Sequence, residues 1–151
     1  MPIEEKVTWV NLVVAVLVPV VYFAIMLGRL GSTSAADISY QIPLLIAIGI
    51  GIVLTIVLSI LVGIGSGVSA ELRGDDPNEI ARKDERDKSI ARRGVVIGFY
   101  VASVGFVGAL ALVMLKADYF WIASAIYLSF IVSVVVASVV KLVAYHRGFQ
   151  P

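Results

Sequence analysis

The sequence predicts an all-α integral membrane protein with four transmembrane helices, folded as a single domain over residues 1–151. Hydrophobic residues make up 60% of the chain and charged residues only 15%, whereas soluble domains approach half apolar and a quarter charged. Four stretches carry no charge over the roughly 20 residues that a bilayer crossing requires. None of them alternates apolar and polar residues as the strands of a membrane barrel do.

The four membrane helices are predicted from the bounds of these apolar stretches. We expect them at about 7–28, 42–65, 94–115 and 119–141. Helices are required because lipid offers no partners to backbone N–H and C=O groups. The second apolar stretch is longer than one span needs, so its helix is placed to start near Pro43, which suits a first helical turn.

The first apolar stretch has an alternative interpretation as a cleaved signal peptide, because Thr33, Ser34 and Ala35 are small residues like those of a cleavage site. Its apolar run, however, exceeds the 7 to 15 residues of a typical signal peptide. The residues that precede it, Glu4-Glu5-Lys6, are not clearly basic. We therefore expect an uncleaved first helix.

A polar stretch, Glu71–Arg93, divides the apolar chain into halves and is called the charged island below. It holds 14 of the 23 charged residues. Within it, Asp76 can cap a helix, Pro77 suits the first turn and Glu79 completes a capping box. Because no proline follows before Leu115, the third membrane helix is predicted to extend into the cytoplasm as one rod.

The distribution of Lys and Arg predicts the orientation of the chain. If both termini and the charged island lie on one side, that side carries ten of these residues, against Arg29 and Lys116 on the other. Loops rich in Lys and Arg stay in the cytoplasm. We therefore expect a multi-pass protein of the cell (plasma) membrane, with both termini cytoplasmic.

A helical charged island would present two different faces. One face carries Arg82, Arg86, Ser89 and Arg93, and the other carries Ile80, Asp84, Asp87 and Ala91. The arginine face suits an acidic partner or a lipid headgroup. The alternative is a solvated helix that is basic because the inner leaflet is anionic. The predicted docking residues are Arg82, Asp84, Glu85, Arg86, Asp87, Arg92 and Arg93.

The segment Lys83–Arg93, KDERDKSIARR, leads directly into a membrane helix. It resembles the signature of a family of small predicted bacterial and archaeal membrane proteins of unknown function. In that family an Asp-Glu-Arg-Asp core, followed by Ile and a basic pair, precedes the second helical hairpin. The resemblance implies four membrane helices, no assigned activity and genes sometimes paired with small helix-turn-helix regulators. It singles out Asp84, Glu85, Arg86 and Asp87.

Small residues spaced four apart predict where two membrane helices approach closely. Within a bilayer no hydrophobic effect drives helices together, so close packing of backbones across small side chains becomes important. The predicted packing positions are Gly63, Gly67, Gly94, Gly98, Ser129 and Ser133. We expect them to pack the helices of one chain against each other. The alternative is a homodimer seam.

The chemistry of the side chains narrows the functional classes. The chain has no cysteine and a single histidine, which excludes thiolate nucleophiles and zinc sites of several imidazoles. A net charge of +1 disfavours direct nucleic-acid binding. No Asp, Glu or His lies within the four apolar stretches, unlike in proton-coupled transporters.

We therefore expect a non-enzymatic accessory or regulatory membrane protein with no cofactor and no metal site. Its expected partners are the lipid bilayer and a cytoplasmic regulatory protein or anionic lipid, docked through residues 76–93. The alternative function is a small transporter or channel subunit formed by oligomerisation of the helix bundle.

Overall fold

The computed structural model describes residues 3–71 and 77–147, and the side chains of residues 3–65 and 85–146. Four α-helices and no strand occur in these described residues. They are α1 (Ile3–Leu30), α2 (Gln41–Glu71), α3 (Pro77–Met114) and α4 (Tyr119–Arg147). All four are long and apolar enough to cross a membrane. The predicted fold class is confirmed.

Each helix is longer than, or shifted from, the apolar stretch that predicted it. Helix α1 begins at Ile3 rather than near residue 7, and α4 continues to Arg147 rather than ending near 141. Helix α2 continues from its spanning part to Glu71. The physical reason is that helical hydrogen bonds do not stop where the side chains become polar. In α3 the same continuity joins the charged island to the membrane span in one helix from Pro77.

The helices neighbour one another in the order α2, α1, α4, α3. Helix α1 packs against α2 and α4, and α4 packs against α3 in the most extensive interface of the molecule. Helices α2 and α3 thus have one main neighbour each. We call the end of the bundle where α1 begins and α4 ends the island end, because residues 85–93 of the charged island also lie there. The opposite end, with the connections 31–40 and 115–118, is the loop end.

The loop end contains a compact apolar core. Tyr22 and Met26 of α1, Ile38 of the first loop and Phe120 of α4 are buried together. The rings of Tyr40 and Phe120 meet edge to face at a centroid distance of 5.8 Å, a favoured aromatic geometry. This core packs the first loop against the start of α4.

A tight turn makes α3 and α4 antiparallel neighbours. The N–H of Ala117 donates to the carbonyl of Leu112 and the N–H of Lys116 to that of Val113, both at 3.0 Å. This pair of bonds is a Schellman cap, and Lys116 takes the left-handed conformation it requires, with φ of 54°. Asp118 then accepts the first backbone bonds of α4.

The α3–α4 seam is built from glycines facing serines. A β-carbon on Gly98 would lie 3.1 Å from Ser133 Oγ and 3.1 Å from Ala137 Cβ, and one on Gly105 would meet the side chain of Ser129. The Ser133 hydroxyl donates to the Gly98 carbonyl at 2.7 Å. The two backbones therefore approach as closely as glycine allows.

Replacing Gly98 with valine tests this seam. The β-branched side chain has no space against α4, so we expect G98V to lower the free energy of unfolding by about 1 to 3 kcal/mol. Unfolding in mixed detergent micelles measures the loss. The matched control is G108V on the same helix, where a β-carbon meets nothing within 4 Å. Equal stability of the two variants would contradict the seam.

Candidate functional site

Packing against α4 holds the last turns of the charged island in place. Ile90 is only 1% exposed and is one of the two largest fully buried side chains in the described part of the chain. One turn further on, the stem of Lys141 crosses directly over Gly94, as long basic side chains do when they cover apolar surface. The end of the island, from Ile90 onward, is therefore anchored to the bundle.

A cluster of carboxylates lies between the three helices at the island end. The Tyr145 hydroxyl of α4 faces the carboxylate of Asp87 on α3, and Glu4 and Glu5 of α1 lie near the same hydroxyl. We call Glu4, Glu5 and Asp87 the carboxylate cluster. Together with Tyr145, the cluster joins the start of α1, the end of α4 and Asp87 of the charged island.

Glu5 is the most enclosed member of this cluster. Its side chain is only 7% exposed, and its Oε1 lies 3.6 Å from Nε2 of His146, which is 63% exposed. A carboxylate at this depth is costly unless it is paired. When its imidazole is protonated, His146 forms an ion pair with Glu5. This ion pair joins the last turn of α4 to the first turn of α1.

The predicted docking residues divide between the two faces of α3. Glu85, Arg86, Arg92 and Arg93 are exposed. Asp87 is half-buried and turned toward Tyr145. The side chains of Arg82 and Asp84 lie outside the described residues. We call the exposed residues Glu85, Arg86, Ser89 and Arg92 the island surface.

The charged side chains of the island differ in whether they interact with other groups of the protein. Asp87, Lys88 and Arg93 each take part in an interaction. Glu85, Arg86 and Arg92 have no ion pair within the described part of the chain. Two arginines are therefore presented to the surroundings while the neighbouring Asp87 is directed into the bundle. The island surface is therefore basic, because it exposes Arg86 and Arg92 against the single carboxylate of Glu85.

The predicted packing positions have different environments. Gly94, Gly98, Ser129 and Ser133 all lie in the α3–α4 seam. A β-carbon on Gly63 would meet nothing within 4 Å, so none of the described residues packs against that position. Gly67 lies outside the residues whose side chains are described.

Sequence reasoning missed the residues contributed by the chain ends. Glu5, Tyr145 and His146 were not predicted as site residues, because neither their spacing nor their type forms a motif. One signal could have found them. If the four spans alternate in direction, the start of the first helix, the end of the fourth and residues 85–93 all lie at the same end of the bundle. Polar residues of these three segments are then expected to contact one another.

The chemistry available at the island end is that of charge recognition. Among the described residues, no group of three or more His, Cys, Asp or Glu side chains is placed to hold a metal ion. The exposed guanidinium groups of Arg86 and Arg92 can each donate paired hydrogen bonds to a carboxylate or phosphate. The arrangement suits binding of an anionic group.

Comparison of the chain with protein-family models, curated proteins and solved structures finds no match. The resemblance of the segment 83–93 to a family of small membrane proteins therefore stays a prediction.

Truncating Ile90 tests the anchoring of the charged island. We expect I90A to cost about 2 kcal/mol of local stability, since the isoleucine is fully enclosed. Amide hydrogen exchange over residues 85–93, measured in lipid nanodiscs, should then accelerate by roughly 30-fold.

The matched control is S89A, which changes the adjacent exposed residue and should leave exchange unaltered. If I90A and S89A exchange at the same rate, α4 does not hold the island.

Proposed function

We propose that this chain is a non-enzymatic accessory protein of the plasma membrane. It crosses the membrane four times, with both termini in the cytoplasm. There it docks an acidic regulatory protein or anionic lipid through the segment 76–93. Its role is regulatory, since it presents a binding surface and offers no metal set or catalytic motif in its sequence.

The proposed orientation is supported by where the basic residues lie along the helices. Residues at the island end include Lys6, Arg86, Arg92, Arg93 and Lys141, all at or beyond the ends of the apolar spans. Basic residues beside a span favour the cytoplasmic side. The loop end carries Arg29 and Lys116.

The observation that carries the proposal is the separation of charges on α3. Asp87 is directed toward Tyr145, whereas Arg86 and Arg92 are exposed and have no ion pair among the described side chains. A solvated helix needs no such sorting, because acidic and basic side chains can neutralise each other along it. A surface that keeps its arginines available favours an anionic partner.

The alternative function, a transporter or channel subunit built by oligomerisation, has less support. Its predicted seam used the ladders at Gly94, Gly98, Ser129 and Ser133, and these positions are filled within the chain by the α3–α4 contact. Of the predicted positions with described surroundings, only Gly63 on α2 has no described residue against it and would be open to a second copy.

Charge reversal on the island surface tests docking. A photo-reactive residue placed at Ser89, which is exposed beside Arg86 and Arg92, should capture the partner in native membranes. Each basic residue contributes about 1 kcal/mol to binding at an anionic surface, so R86E combined with R92E should reduce capture roughly tenfold or more.

The matched control is E85Q, which alters the neighbouring exposed carboxylate and should not weaken capture. Capture of one protein, or of anionic lipid, that is lost on charge reversal supports docking and names its class. Capture that survives R86E with R92E refutes the proposal.

A further inference from the structure

A cavity with both polar and apolar lining lies at the loop end of the bundle. Its volume is about 530 Å³, which is within the range of small-molecule sites. Its lining residues come from 35–41 in the first connection and from 113–122, which include the turn between α3 and α4. Ile38 and Phe120 are buried members of the loop-end core and give the cavity an apolar wall.

Two opposite charges line this cavity and are not paired with each other. Lys116 and Asp118 stand two residues apart in the turn, and both are exposed. Neither side chain has an ion pair or a hydrogen bond with any other described residue. The Schellman cap fixes the backbone that carries them. An ammonium group and a carboxylate are therefore both available to a ligand in the cavity.

The carboxylate of Asp118 is available although its position favours helix capping. Asp118 directly precedes α4, where an aspartate side chain commonly accepts a hydrogen bond from an N–H of the first turn. No N–H of the described chain donates to this side chain. The amide of Gln41 lines the same cavity and also has no partner among the described residues. Two side chains thus offer oxygen acceptors to a ligand with N–H groups.

The cavity lies at the level of the lipid headgroups. The apolar span of α2 begins at Gln41, that of α3 ends at Met114 and that of α4 begins at Tyr119. All three limits lie at the cavity or beside it. Tyr119 and Trp121 are exposed there, as aromatic residues at a membrane–water interface are. The headgroup of a phospholipid can therefore enter the cavity from the surrounding bilayer.

The lining groups favour a zwitterionic headgroup that carries a primary amine. A purely anionic headgroup satisfies Lys116 but is repelled by Asp118. A choline headgroup supplies a cation that has no N–H to donate. The cavity also lacks the enclosing ring faces that bind choline, since Tyr119 is 80% exposed and the ring of Tyr40 packs against that of Phe120.

We propose that the loop-end cavity binds a phosphate group that carries a primary amine, as in the phosphoethanolamine headgroup of a membrane lipid. The phosphate pairs with the ammonium group of Lys116. The amine donates to the carboxylate of Asp118 and to the amide oxygen of Gln41, and the glycerol end of the lipid lies against Ile38 and Phe120. Soluble phosphoethanolamine presents the same polar groups. This site is independent of docking at the island surface, which lies at the other end of the bundle.

Photo-labelling with matched phospholipids tests the site. The full chain is placed in phosphatidylcholine vesicles that contain a trace of one probe, with a photo-reactive group close to the glycerol end of an acyl chain. The probes are phosphatidylethanolamine, phosphatidylcholine and phosphatidylglycerol. We expect phosphatidylethanolamine to label the peptides 31–41 and 113–122 about fivefold more than either of the others, the effect of one charge at a membrane surface.

Soluble phosphoethanolamine, added in excess, separates the two sources of this chemistry. If it displaces the lipid probe, the cavity binds the free molecule as well as the headgroup. If labelling resists it, the cavity is a lipid site. Either result supports recognition of an amine-bearing phosphate, provided that the wild-type protein prefers phosphatidylethanolamine.

Two exposed aspartates at the loop end provide a matched pair of variants. Asp118 lines the cavity and Asp37 does not. D118N should remove the preference for phosphatidylethanolamine over phosphatidylcholine, because the amine loses its charged acceptor. D37N makes the same change of charge at the same end of the bundle and should leave that preference at about fivefold.

The role of Lys116 is tested by K116G, which removes the ammonium group and preserves the turn. Lys116 has a φ of 54°, a conformation that glycine adopts without steric cost. K116G should reduce labelling of the loop-end peptides by phosphatidylethanolamine about fivefold. The matched control is K116R, which keeps a phosphate-binding cation and should keep the labelling.

Three outcomes overturn the proposal. The first is equal labelling of the wild-type protein by the three phospholipids. The second is a preference for phosphatidylethanolamine that survives D118N. The third is loss of the preference in D37N as well as in D118N, because the net charge of the loop end would then explain it without a site.

Discussion

The close approach of α3 to α4 is the contact on which the rest of the structure depends. Gly98 and Gly105 bring the two backbones together against Ser133 and Ser129, and a hydroxyl-to-carbonyl hydrogen bond of 2.7 Å fixes their register. Because α3 is one continuous helix, its rotation in the membrane also sets the rotation of the charged island. Ile90 is therefore buried, whereas Arg86 and Arg92 are exposed.

The different packing of α3 and α2 explains how a small bundle has two separate features, the island surface and an apolar groove between α1, α2 and α4. At the island end, α4 engages Asp87 through Tyr145, and α1 adds Glu5 beside His146, so the remaining exposed charges are mainly basic. On the other side of α1, helix α2 has no comparable seam and leaves the groove at Asn11 open. The tightly packed pair of helices thus orients the island surface, and the loosely packed helix creates the groove.

Hydropathy predicted the four spans because lipid permits no other arrangement for long charge-free segments. The continuity of α3 was predicted from Pro77, which suits a first helical turn, and from the absence of another proline before Leu115. Which helices are neighbours could not be predicted. Gly63 and Gly98 have the same small-residue spacing, yet within the described part of the chain Gly98 meets another helix and Gly63 does not. Glu5 and His146 were missed for the same reason, because one sequence does not say which helix ends meet.

The chain contains no cysteine, so single cysteines placed along residues 85–93 can report which of these side chains are accessible and from which side of the membrane. The measurement is their reaction rate with a membrane-impermeant maleimide in inside-out vesicles and in intact cells. We predict fast reaction at positions 86, 89 and 92 in inside-out vesicles only. Position 90 should react about tenfold more slowly, because its side chain is enclosed. Reaction in intact cells, or equal rates at positions 89 and 90, would contradict an anchored cytoplasmic island.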